Sequence, residues 1–467
     1  MVLWRSVLRV ASRGRGVGEV AARGRARGFG SGPAEAFGRG GGGGGPGVTA
    51  YVSAVAAAGA LGWTFREELQ ALALPRAEAF SLADALSAIG VGSPDKAAPV
   101  DIPAALAKIR EVKKSHPENI AMAVFDEAYF ATLSEEGKQA LLRCVRTGME
   151  NPESQMGCYA MYPEDYDRFK PFFSKALARY HKVAENAVHK TDWSLSGVRG
   201  LPAGGKLDLA ALGLPAMSMR VRVGRNLKEF PLPGAMEAED RKAMENKMCQ
   251  AFDKLIAMPD YGGQYYSLTP GHKNHIDDAK YKELVKKHQM FKDMADDTYL
   301  ASAGIASDWP VGRGCYVSGD QGFIIWVGEE DHLRIMCMEK GTVLNKVFDR
   351  LKTALDTVET IDGMKFAHSP TVGYVTSCPT NLGTGMRASV HMKCPNLTKD
   401  GTDKACKAVC KPLGLSVRGL GGEHTPIGAD GTVDISPSAR FCITEAQIIT
   451  ALYKGISNLK KDEDKAK

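Results

Sequence analysis

The chain has 467 residues, of which 44% are apolar, 24% charged and 7% aromatic. That is enough to bury a substantial core in about two folded units, and it excludes wholesale disorder, collagen and membrane-channel classes. The formal charge of +6 resides in the first 45 residues, where eight Arg face only Glu19 and Glu35. The remainder is near neutral and gives no electrostatic reason to expect nucleic acid or acidic lipid as a partner.

Residues 1–39 are rich in Arg, Ala, Gly and Ser, almost free of acid, and open on an amphipathic Met1-Val-Leu-Trp-Arg stretch. This pattern predicts a mitochondrial presequence, with a plastid address as the second choice. A glycine run from Gly40 to Gly45, then Pro46, predicts a linker. Val48 to Trp63 is uncharged and apolar but shorter than the roughly 20 residues that a spanning helix needs. It reads first as a sorting stop-transfer segment behind the presequence, with a weak membrane anchor and an Ala-rich helix as the competing readings. Residues 64–114 are broken by Pro75, Pro94, Pro99 and Pro103 and carry no recognisable chemistry.

From about 115 to 195 the apolar spacing is helical, as in Leu141, Leu142, Val145 and Met149. A Gly/Pro-rich break between Pro202 and Pro215 follows, and then strand-like runs alternate with helices. The predicted organisation is a leader and linker over 1–47, an extension over 48–114, a helical domain over 115–205 and a larger mixed domain over 206–467. The fold class is α+β. Gly200-Leu-Pro-Ala-Gly-Gly-Lys-Leu207 nearly matches a P-loop but ends in Leu207 where a hydroxyl is required, so it reads as a linker. Ten Cys run from Cys144 to Cys442 without a CxxC pair, and His272 and His275 lack companions at metal-ligand spacing.

The segments with chemistry are strands. In Met217 to Arg225, Arg220 and Arg222 share one face and Met219, Val221 and Val223 the other; two guanidinium forks on one face make an anion platform, which Arg225 would extend. Gly322 to Gly328 and Leu333 to Met338 read as buried strands joined by Glu329-Glu-Asp-His332. Arg334 lies among apolar neighbours there, and a lone buried cation is costly unless it meets an anion. Tyr374 to Gly383 reads as a strand ending in a turn, with Cys378 as either a low-pKa thiolate near several Arg or an inert buried thiol. Then Arg387, Ser389 and His391 share a face opposite Ala388, Val390 and Met392. Arg418 opens a glycine-rich loop containing Glu423, a candidate cover for a ligand. Arg220, Arg222, Arg334, Arg387 and Arg418 together suit a polyphosphate, and Glu330 and Glu423 suit a cationic co-substrate.

On Arg220-Val-Arg222, Glu329-Glu-Asp-His-Leu-Arg334, Cys378-Pro-Thr-Asn-Leu-Gly-Thr384 with Arg387 and His391, and Arg418 with Gly422-Glu-His-Thr425, residues 115–467 resemble the phosphagen (guanidino) kinases, most of all the arginine kinases. The resemblance implies a small helical N-terminal domain and a large domain with a mainly antiparallel sheet flanked by helices. It implies reversible transfer of the ATP γ-phosphoryl group to a guanidine, with Mg2+ held by ATP or ADP and no metal ligand from the protein. It assigns the nucleotide to those five Arg with His288, His391 and His424. It assigns the guanidine to Glu330, Cys378 and Glu423, and the amino-acid end of the substrate to Ser154, Gly157 and Tyr159. Glu423 and the short Asn151–Tyr159 segment favour arginine, whereas Gln155 and Met156 replace the usual Gly and Val and leave taurocyamine or another guanidine open. A protein-arginine kinase ranks below both, since those enzymes lack the helical domain. Gly328, in place of the usual Asn, implies a looser turn before the acidic pair.

Overall fold

A computed structural model describes residues 99–420 and 426–467. The calls on the leader, on residues 48–63, on Glu423 and on His424 lie outside them.

The first described helix, Ile102–Ser115, starts on Asp101, whose side chain accepts the Ala104 amide, with Pro103 in the first turn where no backbone donor is missed. It buries Ala105, Ile109 and Val112 and packs on the helices Ile120–Val124 and Glu135–Glu150. The helical unit therefore begins by residue 102, and the boundary expected at 115 is corrected. Prolines broke the pattern at the N-terminal end of this helix, where Pro is tolerated, and so disguised its start. Ser134 caps Glu135–Glu150, which buries Leu141, Leu142, Val145 and Met149 as their spacing requires. Lys170–His181 closes the unit with Phe172, Phe173, Ala176 and Leu177 inward. Among the described residues, no helix is long and apolar enough to cross a membrane.

Among the described residues, eight strands form one sheet in the order β2-β3-β4-β5-β1-β8-β10-β9. They are β1 (Met217–Arg225), β2 (Gln264–Ser267), β3 (Gly314–Val317), β4 (Phe323–Val327), β5 (Leu333–Gly341), β8 (Met386–Lys393), β9 (Leu415–Arg418) and β10 (Thr432–Pro437). Every neighbouring pair is antiparallel. One face is apolar: Met219, Val221, Val223, Ile335, Cys337, Ala388, Val390, Val433 and Ile435 are buried. The helices Ala238–Ala257, Leu344–Glu359 and Glu445–Lys465 join the same core through Met244, Met248 and Phe252, through Val347, Phe348 and Leu351, and through Ile449, Leu452 and Ile456. A Thr444–Gln447 capping box starts the last of them.

A second core joins the helical unit to the other sheet face through Cys315, Val317, Ile324 and Met336. The segment 200–207 is a short turn leading to buried Leu207, with Lys206 paired to Asp208 at 2.9 Å. Tyr374–Gly383 departs from expectation. Only β7 (Gly373–Tyr374) is strand, paired with β6 (His368–Ser369) apart from the main sheet. The next residues are held by other partners: Asn226 donates to the Val375 carbonyl (3.1 Å), Tyr166 Oη to that of Thr376 (2.8 Å), and the Ala160 amide to that of Ser377 (2.8 Å). Side chains and the helical unit satisfy backbone groups that a ladder otherwise would.

Candidate active site

The antiparallel register aligns the arginines. Arg222 lies opposite Arg387 on β8, Arg220 opposite Ser389, and Gly224 opposite Arg334 on β5. On β10, Asp434 lies opposite both His391 and Arg418. Because side chains alternate and register is shared, five strands place Arg220, Arg222, Arg334, Arg387, Arg418, His391 and Asp434 on one face. Arg225 does not extend this platform. Three residues past Arg222 on β1, an odd step, it turns to the opposite side, is buried, and stacks 3.5 Å from the Tyr374 ring while donating to the Gly224 and Thr384 carbonyls at 2.8 Å.

The face is short of anions. Buried Asp434 meets Arg387 at 3.1 Å, Arg220 at 4.0 Å and His391 at 3.8 Å. Burial, then neighbouring Arg334, Arg220, Arg387 and Arg440, holds the Arg222 guanidinium well below its ordinary pKa. Burial and Arg418 lower Arg387 to about 10. His391 is lowered too, by burial foremost, which favours its neutral ring. Cations that depress one another in this way gain most from a ligand with several negative charges.

The β4–β5 connection supplies carboxylates beside this cluster. Arg334 meets Glu329 at 2.8 Å and Glu330 at 3.4 Å, the anions its burial demanded, and lies 5.5 Å over the Trp326 ring. Asp331 points away and braces the turn, accepting from Asn226 Nδ2 and the Ser377 amide, each at 2.7 Å. His332 is buried and its pKa is driven down to about 3 by burial. It accepts the Leu227 amide at Nδ1 and donates from Nε2 to the Pro231 carbonyl. Gly328 takes φ +74° and its amide donates to the His332 carbonyl at 2.9 Å. A Cβ there would sit 2.5 Å from the Gly312 carbonyl. The turn is closed rather than loosened, since glycine meets no steric penalty at positive φ.

Glu330 accepts from Asn381 Nδ2 at 3.2 Å. Burial, then Asp331 and Glu329, raises its pKa to about 7 against the opposing pull of Arg334 and Arg222. Cys378 lies in the same neighbourhood, 3.1 Å from Thr380 Oγ1. Burial and Glu330 push its thiol up to about 12, so the low-pKa thiolate is corrected: in this state Cys378 is a neutral thiol. Tyr159 completes the group from the helical unit. Its phenol is buried and driven well up by burial, then by Cys378, Glu330 and Asp297.

Ser154 and Gly157 form the turn before it, Ser154 Oγ accepting the Gly157 amide at 3.1 Å. Gly157 has φ +71° against the Asn119 side chain, where a Cβ would collide at 2.4 Å. The exposed Gln155 and buried Met156 are anchored by their carbonyls, which accept the Ile120 and Ala121 amides at 3.0 Å. His288 is exposed, in a left-handed conformation at φ +56°. It is placed next to Gln289, whose carbonyl accepts from Trp326 Nε1 at 2.8 Å.

Sequence reasoning missed three participants. Asp434 was signalled by alternation in Thr432 to Pro437. Asn381 stood inside a quoted motif, unassigned. Arg440 had no signal, since it lies between a strand and a helix. Its charge acts on Arg222, Arg387 and Arg418 and also on Glu330 and Cys378, and it donates to the Thr380 carbonyl at 3.3 Å. The arrangement can hold a polyanion against the arginines and a planar cation against Glu330, with the charge of Arg440 felt by both groups.

Comparison with known proteins agrees. Residues 123–177 match the N-terminal domain of the ATP:guanido phosphotransferases and residues 243–466 their C-terminal catalytic domain. Arginine kinase Oct f 2 of Amphioctopus fangsiao is 36% identical over 323 residues, covering 69% of this chain and 87% of that protein. The substrate-free duplicated taurocyamine kinase of Schistosoma mansoni superposes with a TM-score of 0.64 at 30% identity over 77% of this chain, which spans about half (49%) of that longer one. A lombricine kinase structure superposes with a TM-score of 0.60 at 26% identity, covering 74% of this chain and 95% of that one. The helical N-terminal unit, the antiparallel sheet, the arginine face and these matches lead to one conclusion: the chain belongs to the ATP:guanido phosphotransferase family and is a phosphagen kinase.

Proposed function

We propose that this phosphagen kinase transfers the γ-phosphoryl group of ATP reversibly to L-arginine. The observation that carries the transfer is the junction of the arginine face with Glu330, Cys378 and Tyr159. Arg220, Arg222, Arg334, Arg387 and Arg418, with His288, His391 and His424, bind the nucleotide. Magnesium enters on the ATP or ADP phosphates, as part of the substrate, and adds charge neutralisation there. Glu330 and Glu423 orient the guanidinium by paired hydrogen bonds. Arg440 adds a charge felt by both the arginines and Glu330. A loose transition state asks mainly for alignment and neutralisation, which such groups supply. Glu330 first aligns the guanidinium and then accepts its proton as the new N–P bond forms. A raised pKa makes it a better acceptor than an ordinary carboxylate. Cys378 contacts the guanidine as a thiol, and a bound cation would lower its pKa.

Arginine is favoured by the short Ser154–Gly157–Tyr159 segment, whose turn closes normally despite Gln155 and Met156. Taurocyamine is the second reading, supported by the 30% identical taurocyamine kinase structure. The helical unit, matched by the family's N-terminal domain, speaks against a protein-arginine kinase. The test is ATP consumption by the full chain, with magnesium, against arginine, taurocyamine, glycocyamine and creatine in parallel. Strong turnover with arginine is expected. Turnover only with another guanidine overturns the arginine assignment and leaves the transfer chemistry standing. The leader is proposed to direct the enzyme to mitochondria, with residues 48–63 as a sorting segment. N-terminal sequencing of protein recovered from that organelle checks this, and an intact Met1 would refute it.

A further inference from the structure

A buried arginine behind the acidic turn takes no part in the transfer chemistry described above. Arg313 directly precedes β3 and has no exposed surface. Among the described residues no carboxylate pairs with it. Its guanidinium donates instead to three main-chain carbonyls: Nε to Gly328 at 3.1 Å, Nη1 to Val311 at 2.7 Å and Nη2 to Ile305 at 2.7 Å. Its own carbonyl accepts the Leu268 amide at 2.8 Å, so main chain and side chain are both fixed. A buried cation without a carboxylate is costly, and removing it would leave three core carbonyls unpaired.

Two of those carbonyls bear on the active site. Gly328 directly follows β4 and opens the turn that carries Glu329 and Glu330. The Arg313 stem lies against this glycine as well, since a Cβ on Gly328 would sit 3.3 Å from Arg313 Cδ. Ile305 follows the helix Thr298–Ser302, its amide donating to the Leu300 carbonyl at 2.9 Å. On that helix Ser302 Oγ accepts from Asn151 Nδ2 at 3.0 Å, and Asn151 opens the segment of Ser154, Gly157 and Tyr159. One rigid, planar group therefore bridges the turn of Glu330 and the helix to which the segment Asn151–Tyr159 is bonded. The nucleotide arginines Arg220, Arg222, Arg387 and Arg418 lie on β1, β8 and β9, to none of which Arg313 is hydrogen-bonded.

We propose that Arg313 is a positioning residue for phosphoryl transfer, holding Glu330 at the separation from the segment Asn151–Tyr159 that the guanidine spans. Buried as it is, it touches neither substrate and acts through the Gly328 and Ile305 carbonyls. A guanidinium can do this where an ammonium cannot, because its five donors are spread over a rigid fork while an ammonium presents three from a single atom. This role rests on the reading of Glu330 as a carboxylate that orients the guanidine.

The test is a double-mutant cycle on the full chain, with ATP, magnesium and whichever of arginine, taurocyamine, glycocyamine and creatine the unaltered chain turns over fastest. Arg313→Lys should lower kcat by about 10- to 100-fold while KM for ATP stays within about twofold and the circular dichroism of the folded chain is retained. Glu330→Asp, which withdraws the carboxylate by one methylene, lowers kcat by itself. In that background Arg313→Lys should cost less than about threefold more, since the group through which it acts is already misplaced. An unchanged kcat in Arg313→Lys overturns the role. So does a loss of the same size in both backgrounds, or a rise in KM for ATP as large as the fall in kcat, because either marks a general loosening of the fold. Should Arg313→Lys not fold, Gly328→Ala displaces the same carbonyl through a Cβ placed 2.5 Å from the Gly312 carbonyl, and it takes the same place in the cycle with the same expectations. An unaltered chain inactive with all four guanidines would overturn the reading of Glu330 itself, and that result is seen before any variant is compared.

Discussion

The two faces of the sheet are made by the same strands and do opposite work. On one, Val221, Ile335, Ala388 and Ile435 disappear under three helices; on the other, Arg222, Arg334, Arg387 and Asp434 stand at alternate positions of those same strands. The apolar face gains from burial at each position, by roughly 25 cal/mol per Å². The arginine face spends some of that stability, since it gathers five guanidinium groups around Asp434 and the Glu329–Glu330 pair. A two-residue period lets a rigid apolar layer hold an electrostatically strained one in place, so that the cations are aligned before a ligand arrives.

Adjacent residues on β5 test that division most severely. Arg334→Met should lower kcat/KM by about 10²- to 10³-fold and, because it leaves Glu329 and Glu330 unpaired, cost about 1–3 kcal/mol of unfolding free energy, measured by steady-state kinetics beside chemical denaturation. A variant that unfolds readily instead would mean that this face also carries the fold. Its neighbour Ile335→Ala should do the reverse, costing about 2–5 kcal/mol of stability while folded molecules keep their kcat.

A smaller effect belongs to the acid that tempers the arginines. Asp434→Asn leaves Arg387 without its 3.1 Å ion pair. A loss of about 1–3 kcal/mol is expected without nucleotide, largely recovered in saturating ATP, read as thermal shifts with and without ligand. Equal losses in both conditions would show that Asp434 is not tempering the nucleotide-binding cations.

The smallest effect is a pH dependence. The folded pKa of Glu330, about 7, lies above its ordinary 4.5, so the fold favours the protonated carboxyl. Its contribution to ligand-free stability is complete below about pH 4.5 and is lost as pH rises through 7. Glu330→Gln should flatten that fall in denaturation curves taken across the window. Glu445, raised to about 7 chiefly by burial, contributes a slope of the same sign in that window. An unchanged slope in Glu330→Gln would show that Glu330 is not held neutral.

Alternation in Met217–Arg225 and Met386–Lys393 was sufficient to divide arginines from core residues, because one side chain in two must face each side of a strand. Helical spacing likewise located Glu135–Glu150. Where backbone groups found unusual partners, local patterns failed. Tyr374–Gly383 has a strand's composition, yet Asn226, Tyr166 and the Ala160 amide satisfy its carbonyls from distant parts of the chain. Ile102–Ser115 was hidden by prolines that a first helical turn accepts.

Which residues are cationic, which strand face each occupies and which family motifs recur are local properties, legible along the chain because they depend on neighbours a few positions apart. Packing between distant segments settles which strands lie side by side, and hence that Arg222 lies opposite Arg387, that Asp434 stands among the guanidinium groups, and that Tyr159 comes from the helical unit into the neighbourhood of Glu330 and Cys378. It also settles charge state. Cys378 becomes a neutral thiol and Glu330 a weak acid because burial and nearby carboxylates disfavour their anions, and both are consequences of packing between segments far apart in the chain.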